Sequence, residues 1–220
     1  HTWTADPSAH VRRLVSEGTR TRLPWAMQLK LFIENPDPVF DLLEKLKDDP
    51  SLYVRRSVAN NLNDIAKDHP ELVIDRLTAW RTGASDQRQW VIKHALRHLV
   101  KQGSAGALGV LGYAAEHGIV VEQFALSAEN AKIGDIISMT TRLINRDSVA
   151  HDAVIDYRVH FVKASGKTSP KVFKWAAVHL EPNGIITLTK KHAFRDVSIR
   201  EHRPGLHKID VQINGRVLAE

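Results

Sequence analysis

One acidic residue lies among four arginines near the start of the chain, in the stretch SAHVRRLVSEGTRTRLPW at residues 8–25. Arg13, Glu17 and Arg20 are spaced i, i+4 and i+7, so a helix would place them on one face, apart from its apolar stripe. Such a face can be a solvated ladder of ion pairs, each worth a few tenths of a kcal/mol. The alternative is a surface on which the arginines bind phosphates and the one carboxylate takes part in a reaction.

Two further stretches carry polar residues at equivalent spacings. In the first, Arg56 and Asn60 precede Asp64, which follows Asn60 by one helical turn. In the second, Lys93, Arg97 and Lys101 are spaced i, i+4 and i+8, a basic line suited to phosphates. Each stretch also has a simpler interpretation. The first fits a fraying helix end on which Asp64 and Lys67 form a surface pair, and the second fits a solvated basic face.

The elements that carry these residues repeat. Three segments, residues 10–17, 53–60 and 90–97, align without gaps, and Val11, Val54 and Val91 are the second residue of each. Two segments follow Asp-Pro-Ser, which predicts a capping side chain and then proline at the first helical position. A helical unit of about 40 residues is typical of HEAT or armadillo arrays. Partner helices are predicted between the segments, at Trp25–Glu34, Asp37–Lys47 and Glu71–Trp80.

The C-terminal half has the pattern of strands. Predicted strands cover 121–128, 136–145, 154–163, 172–180, 185–191 and 205–213, separated by turn signals that include Asn183-Gly184 and Asn214-Gly215. Six or seven short strands in about 100 residues fit an immunoglobulin-like sandwich. We therefore expect a multidomain α + β protein, with a HEAT-like helical repeat array at 1–118 and an immunoglobulin-like β-sandwich at 121–220.

Composition narrows the classes of function. The chain has 220 residues, a net charge of +6 and a pI near 9.6, which permits a nucleic-acid partner without requiring one. Because there is no cysteine, disulfides and thiolate metal sites are excluded. His94 and His98 are one turn apart but have no evident third ligand, and nucleotide-binding and hydrolase motifs are absent. No metal or cofactor is expected, and no apolar run is long enough to cross a bilayer.

The runs WTADPSAHVRRLVSEGTRTRLPW and DPSLYVRRSVANNLNDIAKDHP resemble the AlkC branch of the AlkC/AlkD family of DNA alkylation repair glycosylases. The resemblance covers about residues 1–118, and the β-rich half fits as well, since some AlkC proteins carry an immunoglobulin-like domain. It implies a HEAT-like solenoid that cups duplex DNA. It also implies excision of cationic N-alkylated bases, typically 3-methyladenine and, for AlkC, 3-methylcytosine and 1-methyladenine, without base flipping, in base excision repair.

The resemblance assigns roles to residues. Glu17 and Asp64 would be the catalytic carboxylates, Arg13 and Arg20 would hold phosphates and orient Glu17, and Trp25 would pack on the DNA at the lesion. Further DNA-binding residues are expected on the next two repeats: Arg56, Asn60, Lys93 and Arg97. AlkD proteins have an aromatic residue where this chain has Asn60, so the lesion contacts there should differ from those of AlkD.

Other expectations follow from the same resemblance. The partner would be duplex DNA containing alkylated bases, bound by a monomer in the bacterial cytoplasm, near the nucleoid. The chain begins without methionine, and family members have more helical repeats before this point. It is therefore expected to be N-terminally trimmed, and it could be inactive by itself. The alternative is a non-catalytic HEAT scaffold that binds DNA or protein, and an RNA-binding repeat protein rests on charge alone.

Overall fold

A computed structural model describes residues 2–114, 116–195 and 202–219. Cα packing divides the chain into two compact units, residues 1–100 and 101–220. After a 3₁₀ turn at Thr2–Ala5, the helices are α1 (Ala9–Gly18), α2 (Lys30–Glu34), α3 (Asp37–Leu46), α4 (Leu52–Ile65), α5 (Pro70–Arg81), α6 (Asp86–Ala95), α7 (Arg97–Gln102) and α8 (Ala105–Val110). None of these described helices is long and apolar enough to cross a membrane.

In the first unit, the aligned segments form neighbouring helices. Helix α4 packs against both α1 and α6, and α3 and α5 lie beside them. Val54, Val58 and Leu62 of α4 are fully buried, as is Val91 of α6, because apolar residues at helical spacing share one face. The order of the helices follows the predicted repeat, while the HEAT-like geometry of the array stays a prediction.

The two Asp-Pro-Ser turns are built in the same way. The Asp6 and Asp49 carboxylates accept hydrogen bonds from the backbone N–H of Ser8 and Ser51, at 2.8 Å in each case. An arginine of the following helix then donates to the carbonyls of the turn, Arg12 in the first repeat and Arg55 in the second. Two of the arginines in these motifs are therefore structural, and each ties its helix to its own N-terminal turn.

The predicted cap chemistry is wrong at these two turns. Ser8 and Ser51 occupy the N-cap position without a side-chain hydrogen bond to the helix, and Pro7 and Pro50 precede them rather than standing at the first helical position. The carboxylate of the preceding aspartate is engaged in the turn itself. At the third repeat, by contrast, Ser85 caps α6 by accepting a hydrogen bond from the Arg88 N–H.

Three predicted helical boundaries also need correction. Helix α1 ends at Gly18, so Arg20 extends from the following loop rather than from a continuous helical face. The helix predicted at Trp25–Glu34 begins only at Lys30, and Trp25 has a φ of 65°, outside the helical region. The basic line from Lys93 is interrupted as well, since α6 ends at Ala95 and α7 begins at Arg97.

The second unit contains two antiparallel sheets. The strands are β1 (Ile119–Leu126), β2 (Ile136–Asn145), β3 (His151–Val162), β4 (Thr168–Leu180), β5 (Ile185–Ala193), β6 (Ile209–Ile213) and β7 (Arg216–Ala219). One sheet has the order β1-β2-β5, and the other has the order β4-β3-β6-β7. Met139 and Leu143 from the first sheet share a core with Ile155, Val211 and Ile213 from the second. The predicted sandwich architecture is confirmed.

The last hairpin completes the second sheet. Asn214 and Gly215 both have positive φ, 47° and 78°, as a two-residue turn between β6 and β7 requires. Strand β7 directly follows Asn214-Gly215, the turn signal identified in the sequence, and is a strand beyond the six that were given ranges there. The first strand begins at Ile119, whereas the packing division falls between residues 100 and 101, so the domain boundary at residue 118 stays a prediction.

A buried carboxylate lies in the middle of the second sheet. Asp156 of β3 is only 6% exposed and is paired in register with Lys174 of β4 and Gln212 of β6. Burial raises the pKa of Asp156 to about 6, and the charges of Lys174 and Lys101 oppose that shift only in part. The folded unit therefore holds this proton at pH values where an unfolded chain has lost it.

We expect Asp156→Asn to stabilise the second unit at neutral pH by about 2 kcal/mol, because it removes the cost of ionising a buried carboxyl. A raised pKa means that the stability of the wild-type unit falls as pH rises from about 4 to about 6 and then levels off. Hydrogen-exchange mass spectrometry of β3 peptides across this range measures both effects. Glu129→Gln, at an exposed position, should change neither. An Asp156→Asn variant whose stability depends on pH as that of the wild type does would contradict the raised pKa of Asp156.

Candidate functional site

One guanidinium joins the two predicted catalytic carboxylates. Arg20 donates from Nη1 to Glu17 Oε1 at 2.8 Å and from Nε to Asp64 Oδ2 at 2.8 Å, and its Nη2 lies 2.7 Å from the same Asp64 oxygen. Glu17 comes from the last turn of α1 and Asp64 from the last turn of α4. The contact of Arg20 with Glu17 is the one that the sequence led us to expect, although Arg20 is not on the helix, and the contact with Asp64 was not predicted.

Glu17 lies in a hydrogen-bonded setting that favours its charged form. Burial by itself would raise its pKa, but the Ser57 hydroxyl donates to Oε2 at 2.6 Å, and Arg20 donates to Oε1. Arg13 adds an ion pair, with Nη2 at 3.4 Å from Oε2. Together these contacts hold the pKa of Glu17 below its usual value. The carboxylate is ionised at neutral pH and remains partly accessible.

Asp64 is more deeply buried than Glu17. Its side chain is 3% exposed, and besides Arg20 it contacts Lys67 Nζ, which lies 2.9 Å from Oδ1. The predicted Asp64–Lys67 pair is present, but the Asp64 carboxylate is buried rather than at the surface. Each Asp64 oxygen therefore already has a cationic partner.

Arg13 stacks on an aromatic ring of the next repeat. Its guanidinium carbon lies 4.5 Å from the centroid of the Tyr53 ring, and His10 contacts the same ring edge-on at 5.6 Å. A shallow pocket of about 340 Å³ opens here, lined by His10, Arg13, Leu14, Glu17, Gly18, Leu23 and Tyr53. Glu17 thus faces a small, partly apolar recess with a cation at its side.

The remaining predicted DNA-binding residues lie on α4, on α6 and at the start of α7. Arg97 donates from Nη2 to Asn60 Oδ1 at 2.9 Å, whereas Arg56 and Lys93 are exposed.

Trp25 is fully exposed in the loop after α1, so it is not a core residue. Of the other tryptophans, Trp80 fills the space beside α3, where its Nε1 donates to Glu44 at 2.6 Å, and Trp90 stacks on His94.

Sequence reasoning missed several partners of the site. Ser57 donates to Glu17, and the Asn61 amide donates to the Ser16 carbonyl at 2.8 Å. Tyr53 holds Arg13, and it stands at the same repeat position as His10 and Trp90, which is the one signal in the sequence that could have identified it. Within the described ranges no group of three or more His, Asp or Glu side chains is arranged to hold a metal ion.

We expect Arg20→Met to destabilise the first unit by about 3 kcal/mol, because it leaves the buried Asp64 carboxylate without its closest cation. Adding Asp64→Asn should recover much of that loss, since the uncompensated charge is then removed as well. Urea unfolding followed by tryptophan fluorescence measures the change.

Arg22→Met is the matched control. Arg22 makes a comparable two-bond contact with Asp68, but both side chains of that pair are more exposed, so the loss should be below about 1 kcal/mol. Equal losses for the two arginine variants would contradict a special role for Arg20.

Comparisons with known proteins agree with both units. Residues 120–220 match the family described as the C-terminal Ig-like domain of the uncharacterised protein YhaZ. The chain is 39% identical over 216 residues to the uncharacterized protein YhaZ of Bacillus subtilis (strain 168), a match that covers 98% of this chain and 59% of that protein.

A solved structure matches both units together. Pseudomonas fluorescens alkylpurine DNA glycosylase AlkC, bound to DNA containing an abasic site analog, is 37% identical with a TM-score of 0.96, covering 99% of this chain and 60% of AlkC. AlkD2 from Streptococcus mutans is also 37% identical, but the match covers only 44% of this chain and 44% of the AlkD2 chain, with a TM-score of 0.37. The chain spans about 60% of the length of YhaZ and AlkC. Over that part, the chain is similar to AlkC in sequence and fold, and its C-terminal end matches the Ig-like domain of YhaZ.

Proposed function

We propose that the chain is the greater part of a DNA glycosylase that excises cationic N-alkylated bases, typically 3-methyladenine, from duplex DNA. The observation that carries the proposal is the pair of carboxylates, Glu17 and Asp64, held by one arginine on helices that also present basic residues. The similarity to AlkC over 99% of the chain supports it. The HEAT-like arrangement of the helices and the base excision repair role belong to the same proposal.

The chemistry suits this arrangement of charges. Alkylation at a ring nitrogen makes the base cationic and therefore a good leaving group. As the N-glycosidic bond breaks, positive charge develops on the deoxyribose, and a carboxylate nearby stabilises that charge and can position a water molecule. Glu17 is the better placed group for this role, because it is ionised and borders the open pocket.

Arg20 would then have two functions. In the free chain it forms ion pairs with both Glu17 and Asp64. A DNA phosphate is an alternative partner for a guanidinium, and it binds in the same two-point manner as a carboxylate. When Arg20 exchanges its carboxylate contacts for a phosphate, both carboxylates become available to the sugar. Binding of the substrate would in this way expose the catalytic charge.

The same proposal explains the exposed residues around the site. Trp25 offers a large apolar surface to DNA beside the lesion, and Arg13 offers a cation already oriented by the Tyr53 ring. The pocket beside Glu17 is shallow, which supports excision of a base that stays in the duplex rather than of a flipped base. Arg56, Lys93 and Arg97 would contact phosphates further along the strand, and Asn60 would support Arg97.

A non-catalytic scaffold is the second candidate. Helical repeats commonly serve as binding surfaces, and the chain spans only about 60% of its relatives. A scaffold needs the basic face but has no use for ionised carboxylates at its centre. The two candidates therefore differ in what neutralising Glu17 would do.

The decisive experiment measures the release of methylated bases from alkylated genomic DNA by this chain and by the full-length gene product. Glu17→Gln and Asp64→Asn in the active form should each lower the rate of release by about 10²–10³ while DNA binding is retained. The control is Asp68→Asn, a carboxylate paired with Arg22 rather than with Arg20. Release that is unaffected by the first two variants would reject the catalytic assignment, and no release by either form, with binding retained, would favour the scaffold.

A further inference from the structure

A cluster of four basic residues lies where α4, α6 and the start of α7 meet, with no acidic partner in contact. Arg56, Lys93, His94 and Arg97 belong to this cluster, and within the described part of the chain none of them is within ion-pair distance of a carboxylate. The partners of Arg97 are neutral instead, because it donates to Asn60 Oδ1 and to the His94 backbone carbonyl.

The charge of Arg97 is only partly compensated within the protein. Burial lowers its pKa, and the nearby charge of Arg20 lowers it further, while Asp64 opposes the shift from a distance. An arginine that is half-buried among other cations is stabilised by an anion, and a phosphate diester fits its planar group of donors. The cluster is thus prepared for an anion that the protein itself does not supply.

His94 is held rigidly beside these cations. Its ring stacks on the ring of Trp90, one turn earlier on α6, with 4.9 Å between centroids and 9° between the planes. No hydrogen bond to its ring nitrogens is present among the described residues, so the imidazole keeps its donor capacity. Burial lowers the pKa of His94, and the charges of Arg97 and Arg56 lower it further, so the ring is neutral at physiological pH.

The neighbouring repeat supports the interpretation of this surface. There Arg13 of α1 lies over the ring of Tyr53 on α4, and Tyr53 and Trp90 occupy the same repeat position. In both places an aromatic ring fixes a nitrogen-bearing group at the exposed edge of the helix. The first place borders Glu17, whereas the second has no carboxylate in contact.

We propose that Arg56, His94 and Arg97 form a binding site for one DNA phosphate, and that His94 takes up a proton when this phosphate binds. The inference rests on the proposed DNA-binding function and adds His94 and Trp90 to it. Trp90 acts as a positioning residue, because it fixes the plane of the imidazole without contacting the phosphate.

The sign of the effect follows from the charges that act on His94. Arg56 from α4 and Arg97 from α7 disfavour its protonation, Lys93 is adjacent on α6, and helix α5, which also packs on α6, contributes no charge to it among the described interactions. A bound phosphate reverses this balance and raises the pKa of His94. DNA affinity should therefore rise as pH falls, by about tenfold for each unit by which the bound pKa exceeds the free pKa.

Two measurements test the inference on the 220-residue chain. The first follows the imidazole Cε1–H signal of His94 by NMR as a function of pH, with and without an undamaged duplex oligonucleotide, and the midpoint should move to higher pH with DNA. The second measures the dissociation constant of the same duplex by fluorescence anisotropy between about pH 5.5 and pH 8 at constant salt, because salt also weakens phosphate contacts.

His94→Gln keeps a donor group but cannot be protonated, so it should bind as wild type does at the alkaline end and lose the gain in affinity at the acidic end. His98→Gln, four residues further on, makes the same change of side chain and should keep that gain. An unmoved His94 signal, or a His94→Gln variant with the full pH dependence, would overturn the inference while leaving DNA binding intact. Failure of the wild-type chain to bind the duplex at any pH would reject the proposed DNA-binding function and the inference with it.

Discussion

The guanidinium of Arg20 is the contact on which the candidate site depends. Two carboxylates from different helices, Glu17 and Asp64, converge on it, and without a cation at that point their charges would repel each other in a partly buried setting. The contact also anchors the loop that follows α1, in which Trp25 is exposed. This one guanidinium therefore holds both acidic groups at the same point.

The repeat provides a scaffold on which different chemistry is placed at equivalent positions. Arg12 and Arg55 do the same structural work in two repeats, each tying a helix to its Asp-Pro turn. Seven residues after the first position of each aligned segment, by contrast, the chain carries Glu17, Asn60 and Arg97 in succession. The residue at this position thus changes from acidic to neutral to basic from one segment to the next. This gradient is what a surface needs if it is to hold phosphates and also stabilise a cation.

The second unit is stabilised in a different way from the first. Its core is apolar and lies between two sheets, yet it retains polar residues that a sandwich core does not require, including Asp156 and Asn145. Asn145 satisfies its amide by donating to the carbonyls of Val149, Leu180 and Glu181, whereas Asp156 remains at an energetic cost. The match of residues 120–220 to an Ig-like family agrees with this architecture, and the unit's contribution to DNA binding is a separate question from its fold.

The sequence by itself determined the order of helices and strands, the equivalence of the three repeats and the set of charged residues around Glu17, because apolar periodicity and turn residues act locally. It did not determine the contacts of Arg20, since these depend on Asp64, a partner 44 positions away. Only the tertiary structure decided that Asp64 is buried, that Ser57 donates to Glu17 and that Tyr53 orients Arg13. These contacts join residues about 40 positions apart, and side-chain spacing along one helix carries no information about them.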